Sequence, residues 1–174
     1  MKKYLQNKAK MLLYCVEHKA HEAALAAVDE IRKRGWMSGE VSLLASVELH
    51  FAQLAGADLS GANLEKTDFL ITCLDDANLQ GANLRGASLK SSSLRNANLR
   101  DADLTGALLE SADFTGASMR HARLDEVIME YWGTEPATMP NGELWHADMD
   151  LRMFTDPDHP NFYDPYEDKG GAVS

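Results

Sequence analysis

The side chains here that could do chemistry gather near the two ends of the sequence. His18 and His21 stand three apart beside Glu17 and Glu22, on a stretch with helical spacing. Two imidazoles one helical turn apart can share a metal ion. The plainer reading of the same residues, a solvated helix face, is the one adopted. Toward the other end His146, Asp148, Asp150, Asp156, Asp158 and His159 offer oxygen and nitrogen donors. The stretch from Asp156 lacks the glycine of a calcium loop and has Pro160 where a ligand falls. A metal protein built on these tail residues is kept only as an alternative. No Gly-rich phosphate loop, nucleophile elbow or Cys-x-x-Cys occurs. Ser91, Ser92 and Ser93 follow a repeat rather than a triad, and nothing beside Cys73 lowers a thiol pKa. The expectation is a protein that is not an enzyme, with no catalytic, cofactor-binding or metal-ligating residues and no cofactor.

What positions most of the side chains is a beat of five residues. From Ala52 to Glu126 the chain reads as 15 pentapeptides without an insertion. The third place is always bulky and apolar: Leu54, Leu59, Leu64, Phe69, Leu74, Leu79, Leu84, Leu89, Leu94, Leu99, Leu104, Leu109, Phe114, Met119 and Leu124. The first place is Ala in 12 of the 15, so little room is left beside each bulky residue. Asn, Asp or Ser fills the second place in 11 of the 15, and Gly recurs at the fifth. An α-helix turns about 100° per residue, so a period of five spirals around it and forms no stripe. A straight strand has period two and sends successive centres to opposite faces. A chain that bends every five residues keeps them all inside. The beat therefore predicts a coiled β-solenoid with these 15 centres stacked along its axis.

These residues resemble the pentapeptide repeat family, whose motif is A(D/N)LXX. The resemblance implies a right-handed quadrilateral β-helix, four pentapeptides to the coil, with a small α-helical N-terminal cap and an irregular C-terminal extension. Ser42–Ser46, Val47–Phe51 and Val127–Tyr131 continue the beat on Leu44, Leu49 and Met129. The expected organisation is a cap over residues 1–41, a solenoid over 42–131 with 52–126 as its firm core, and a C-terminal cap and acidic, Pro-rich tail over 132–174.

The flanks break the beat. Leu5, Ala9, Leu12, Leu13 and Val16 share one helical face, and Ala24, Leu25, Val28 and Ile31 share another. The second stretch ends in Arg32, Lys33 and Arg34 and stops at Gly35, a C-terminal helix signal. Trp36 is expected to lid the first coil. All five prolines fall between 136 and 165, and Met139-Pro140-Asn141-Gly142 is a turn signal. Asp148 is placed to cap a short helix through Phe154.

Charge narrows the partner. The chain of 174 residues carries a formal −10, which argues against direct nucleic-acid binding. No apolar run approaches the roughly 20 residues that span a bilayer, so no membrane partner is expected. Cys15 and Cys73 form no disulfide framework, which fits a cytoplasmic protein. Some members of the family resemble duplex DNA and protect DNA gyrase from quinolones. That alternative needs an acidic stripe, and no face exceeds a net −2 when every fourth pentapeptide is assigned to one side. The face of Phe69 and Leu89 instead turns Leu70, Ile71, Leu108 and Ile128 outward, with Tyr131 at its end. The favoured reading is that the N-terminal helices or the C-terminal tail pack there; the alternative is an interaction surface for an unidentified protein partner or a second copy of the chain. The expected function is a rigid, non-catalytic protein–protein interaction module. Leu84→Asp sets a carboxylate in the dry interior and should abolish cooperative thermal unfolding and the native circular dichroism spectrum.

Overall fold

The computed structural model describes residues 20–39, 42–128, 138–144, 149–150, 152–156, 158–161 and 163. Through 42–128 every circuit of the chain takes 20 residues. Single parallel bridges pair Gln53 with Cys73, Cys73 with Ser93 and Ser93 with Asp113, and the same spacing runs down the other three sides. The sequence predicts strands here. Among the described residues the pairing is by isolated bridges alone, because the chain turns again before a second pair can form.

The turn has one cause. Residues 46, 51, 56 and every fifth onward to 126 have φ between 54° and 70°, the left-handed region. The hydrogen bond of each turn closes from the first residue of a unit to the third residue of the unit before, as in Ala57 N–H to Leu54 O at 3.0 Å. A left-handed third residue in such a turn is the signature of type II. Glycine adopts it freely, and Asn or Asp tolerates it. Gly116 has a further reason, since a Cβ there would meet Asn96 Oδ1 at 2.4 Å.

Each unit accounts for its amide groups in the same way. In the unit of Cys73, the second residue donates up to Ala52 O at 3.0 Å. The third, Leu74, donates down to Ser93 O, and the fifth, Asp76, donates down to Arg95 O, both at 2.7 Å. The fourth N–H has no backbone partner on a neighbouring coil. The second-place Asx supplies one: Ser60 N–H donates to Asp58 Oδ1, Arg85 to Asn83 Oδ1 and Thr105 to Asp103 Oδ1. That local demand is the physical reason for Asn and Asp at the second place.

The interior is a single cluster of apolar side chains. The 15 third-place residues from Leu54 to Leu124 are each at most 3% exposed, and first-place alanines fill the spaces between them. Burying a leucine contributes roughly 1.5–3 kcal/mol before chain entropy is counted. Thr67, Thr72 and Ser92 replace alanine without leaving a stranded hydroxyl. They donate to the carbonyls of Leu44, Leu49 and Phe69 respectively.

Other structure packs on both ends of the core. Helix α1, Ala20–Lys33, buries Ala24, Ala27, Val28 and Ile31 in the same cluster as Leu54. It ends in a Schellman motif: Trp36 N–H reaches Ile31 O, Gly35 N–H reaches Arg32 O, and Gly35 is left-handed. Trp36 packs on the core half-buried beneath the Arg34 guanidinium. At the other end Thr138 pairs with Ser118, still 20 residues on, and Met139 is fully buried. The chain then reverses, and Leu144 pairs antiparallel with Thr138. That hairpin covers an otherwise open edge. Helix α2, Arg152–Thr155, offers the Thr155 carbonyl to Glu126 N–H and buries Phe154. The first predicted helix, residues 129–131 of the unit centred on Met129 and the residues from 164 onward lie outside the described residues, as does Asp148.

Arg32 performs the work of a missing coil. Its Nη2 donates to Asp58 O at 2.8 Å and Ser60 O at 3.0 Å, the two carbonyls that a preceding unit would have filled. Arg32→Ala strands both and should lower unfolding free energy by about 1–2 kcal/mol, read from a urea titration as an earlier midpoint at unchanged slope.

Candidate functional site

The outer wall consists of the second, fourth and fifth residues of each unit, held in rows by the backbone pairing. Most of its charges are spent on one another. Arg95 Nε meets Asp113 Oδ2 at 2.6 Å, Arg85 meets Asp103 at 3.1 Å and Lys90 meets Glu110 at 2.7 Å, each joining neighbouring coils. Burial by itself would raise the Asp103 carboxyl, but hydrogen bonds from Thr105 and the Arg85 guanidinium outweigh it and hold the group below its ordinary value. Asp113 is lowered in the same way, burial being outweighed by Thr115 and Arg95. His50 Nε2 lies 2.7 Å from Asp68 Oδ2, and that contact, with the Leu70 N–H, overcomes burial to lower Asp68. Amides form vertical ladders between the charges, Asn98 donating to Asn78 and Asn78 to Asp58. All these are coil-to-coil braces.

The residues with chemical potential are dispersed or outside the described region. His18, Glu17, His146 and Asp148 fall outside it. Glu22 is exposed on α1, where His21 also lies. In the tail, Asp150 is held far below the ordinary carboxylate range by hydrogen bonds from Arg152, with His159 3.4 Å away. Asp156 accepts the Asp158 N–H. Among the described residues no three of His, Cys, Asp and Glu come together as a metal site. Ser91 is a left-handed corner residue, Ser92 a buried hydroxyl and Ser93 a donor to Asp75. Cys73 is a half-buried free thiol on the wall.

Among the described residues, apolar exposure is the feature that packing leaves unexplained. Ile71 is 48% exposed and Ile128 51%, while Leu70 and Leu108 are half-buried on the same face. Tyr131 lies outside the described residues. Phe51, at 61% the most exposed of the group with Leu144, sits one coil above Ile71 on the same corner. Sequence reading passed over it. The available signal was its fifth place in the unit ending before Ala52. Phe51 and Ile71 also adopt φ of 61° and 54°, where the other corner residues through 126 are Gly, Ser, Lys, Asp, Asn, His or Glu. A β-branched side chain in that region is a genuine outlier. Helix α1 does not cover this corner; its Arg32 is fixed to the side of Asp58 and Ser60.

Comparison with known proteins meets this geometry directly. A family model described as pentapeptide repeats matches residues 43–70, 72–110 and 92–130, in eight copies. The chain belongs to the pentapeptide repeat family. Solved pentapeptide repeat proteins show similar stretches. Rfr23 from the cyanobacterium Cyanothece 51142 is 34% identical over 49% of this chain and 58% of its own, with a TM-score of 0.49. A thylakoid-lumen member from Arabidopsis thaliana is 35% identical over 50% of this chain and 61% of its own, also at 0.49. HetL of Nostoc, described as involved in heterocyst differentiation regulation, is 32% identical over 56% of this chain and 43% of its own, at 0.46. The chain thus spans less than two thirds of the length of these relatives. No match is found among curated proteins. No helix among the described residues is long and apolar enough to cross a membrane.

Pentapeptide repeat corners prefer residues that accept a left-handed backbone, and Ile71 is the least suited of them. Ile71→Asn should relieve about 1 kcal/mol and raise the melting temperature by about 2–4 °C. A lower melting temperature would show that Ile71 contributes to folding.

Proposed function

We propose that this pentapeptide repeat chain is a right-handed quadrilateral β-helix acting as a non-catalytic protein–protein interaction module. The observation that carries the reading is the division of labour within each unit. First and third residues build the interior, and the others stand in rows at the spacing of paired strands, about 4.8 Å. Side chains fixed in this way lose little entropy on binding, so a modest contact area suffices. The charges mostly brace adjacent coils, which supports display. The apolar corner of Phe51 and Ile71, with Leu70, Leu108 and Ile128 on the adjoining face, is the surface best suited to a partner. The separated cysteines fit work in the reducing cytoplasm.

The test is face-by-face substitution in the full chain. Leu70→Asn with Ile71→Asn alters one face; Arg100→Ala with Arg120→Ala alters another. Affinity capture from the native host should yield one protein in stoichiometric amount, lost with one pair and kept with the other. Equal capture by both variants would overturn the reading. A native mass of twice 19.2 kDa that collapses with the first pair identifies the partner as a second copy. Protection of DNA gyrase from a quinolone in a supercoiling assay would replace the reading with DNA mimicry.

A further inference from the structure

We propose that the N-terminal rim of the first coil, from His50 to Ala55, is a docking edge for an extended segment of a partner protein, which pairs there as an additional row. The inference rests on the interaction-module reading and adds the site and the kind of partner. It starts from what each row requires of the row above it. On every side, the second residue sends its N–H upward, and the second and fourth residues each receive an N–H from above. The first coil has no row above it, and its sides meet this demand unequally.

Two sides have their carbonyls provided for. On one, Arg32 occupies the Asp58 and Ser60 carbonyls. On the next, Asn63 N–H donates to Met37 O at 2.7 Å, the Ser42 hydroxyl donates to Asn63 O, and Ser46 N–H donates to Glu65 O. The side of Gln53 has nothing comparable. Among the described residues the Gln53 N–H, the Gln53 carbonyl and the Ala55 carbonyl have no partner, and round the corner the His50 carbonyl has none. Gln53 is exposed, and His50 and Ala55 are half-buried. Phe51 stands at the corner between them, exposed and left-handed.

The chemistry of the rim selects its occupant. It offers one donor and two acceptors along the extended stretch from Gln53 to Ala55, with the His50 carbonyl beyond the Phe51 corner. An extended polypeptide supplies N–H groups two residues apart, with a carbonyl between, and so matches it. An apolar side chain on that segment gains the face of Phe51 as an anchor. A second rod fits poorly, because α1 lies over the end of the core and two capped ends cannot meet rim to rim. The chain's own first 19 residues carry helical rather than alternating spacing, and a helix uses its own amides. A free strand needs only the rim.

The experiment uses the full chain, amide hydrogen exchange by NMR, and a displayed library of random 12-residue peptides as the probe. In the free protein the Gln53 amide should exchange at least 100-fold faster than the Cys73 amide one coil below. Selected peptides should slow Gln53 exchange at least tenfold. Their affinity should fall at least tenfold with Gln53→Pro, which removes the donor, and with Phe51→Ser, which removes the anchor. Protection of the Cys73 amide checks that each variant is folded; should Gln53→Pro fail that check, Phe51→Ser and the wild-type exchange decide. Slow Gln53 exchange in the free chain at every concentration overturns the proposal in favour of the chain's own N-terminal residues. Slow exchange only at high concentration overturns it in favour of a second copy. An empty selection, or peptides indifferent to both variants, also overturns it. Each of these leaves the interaction-module reading standing if host capture still depends on one face, so the two can fail separately.

Discussion

At every fifth residue the backbone passes through φ near +60°, and the molecule is organised around that conformation. It turns the chain after each short extended stretch and makes the path close on itself after four units. Closure sets residue i beneath residue i − 20, so the amide groups meet their partners and the third residues fall into vertical columns. The leucine interior follows from the turn, since apolar side chains separated by five residues have no other way to meet. The interior in return holds the turns, because only a packed core compensates the left-handed cost at corners such as Lys66 and Ile71.

The same arrangement separates structural from surface residues. Hydrogen bonding of the fourth amide occupies the second-place Asx, and burial occupies the first and third places. What remains points outward and is nearly free of folding demands. Much of it is used as bracing, as in Arg95 with Asp113 and Lys90 with Glu110. Exposed ion pairs of this sort contribute little singly. Their effect here is to offset many of the wall's charges against one another, and beside them stand exposed apolar residues: Phe51, Ile71 and Ile128.

Legibility in the sequence followed the range of the interaction. The five-residue beat is local and repeated, so the family, the third-place centres and the glycine corners could be read directly. Helix α1 was legible through its 3.6-residue spacing and its stop at Gly35. Arg32 read only as a basic residue in a last helical turn. Its contacts with Asp58 and Ser60 span 26 and 28 positions, and no pattern announces them. Thr138 was hidden in the same way, since the Trp132–Pro136 unit before it lacks a leucine, yet the spacing holds across it. Phe51 was overlooked because a bulky apolar residue contradicts what the fifth place usually holds. Such contradictions are where function and folding part.

The 20-residue circuit also constrains how such a chain can change its length. Duplicating one whole circuit adds a storey and leaves every vertical neighbour in place. Duplicating a single pentapeptide keeps the interior intact, yet rotates all later rows by a quarter turn relative to those above. A copy inserted between Arg85 and Asp103 would leave these two on different walls, and their ion pair would vanish without harm to one leucine. Growth by fives therefore rewrites the surface, and growth by twenties preserves it.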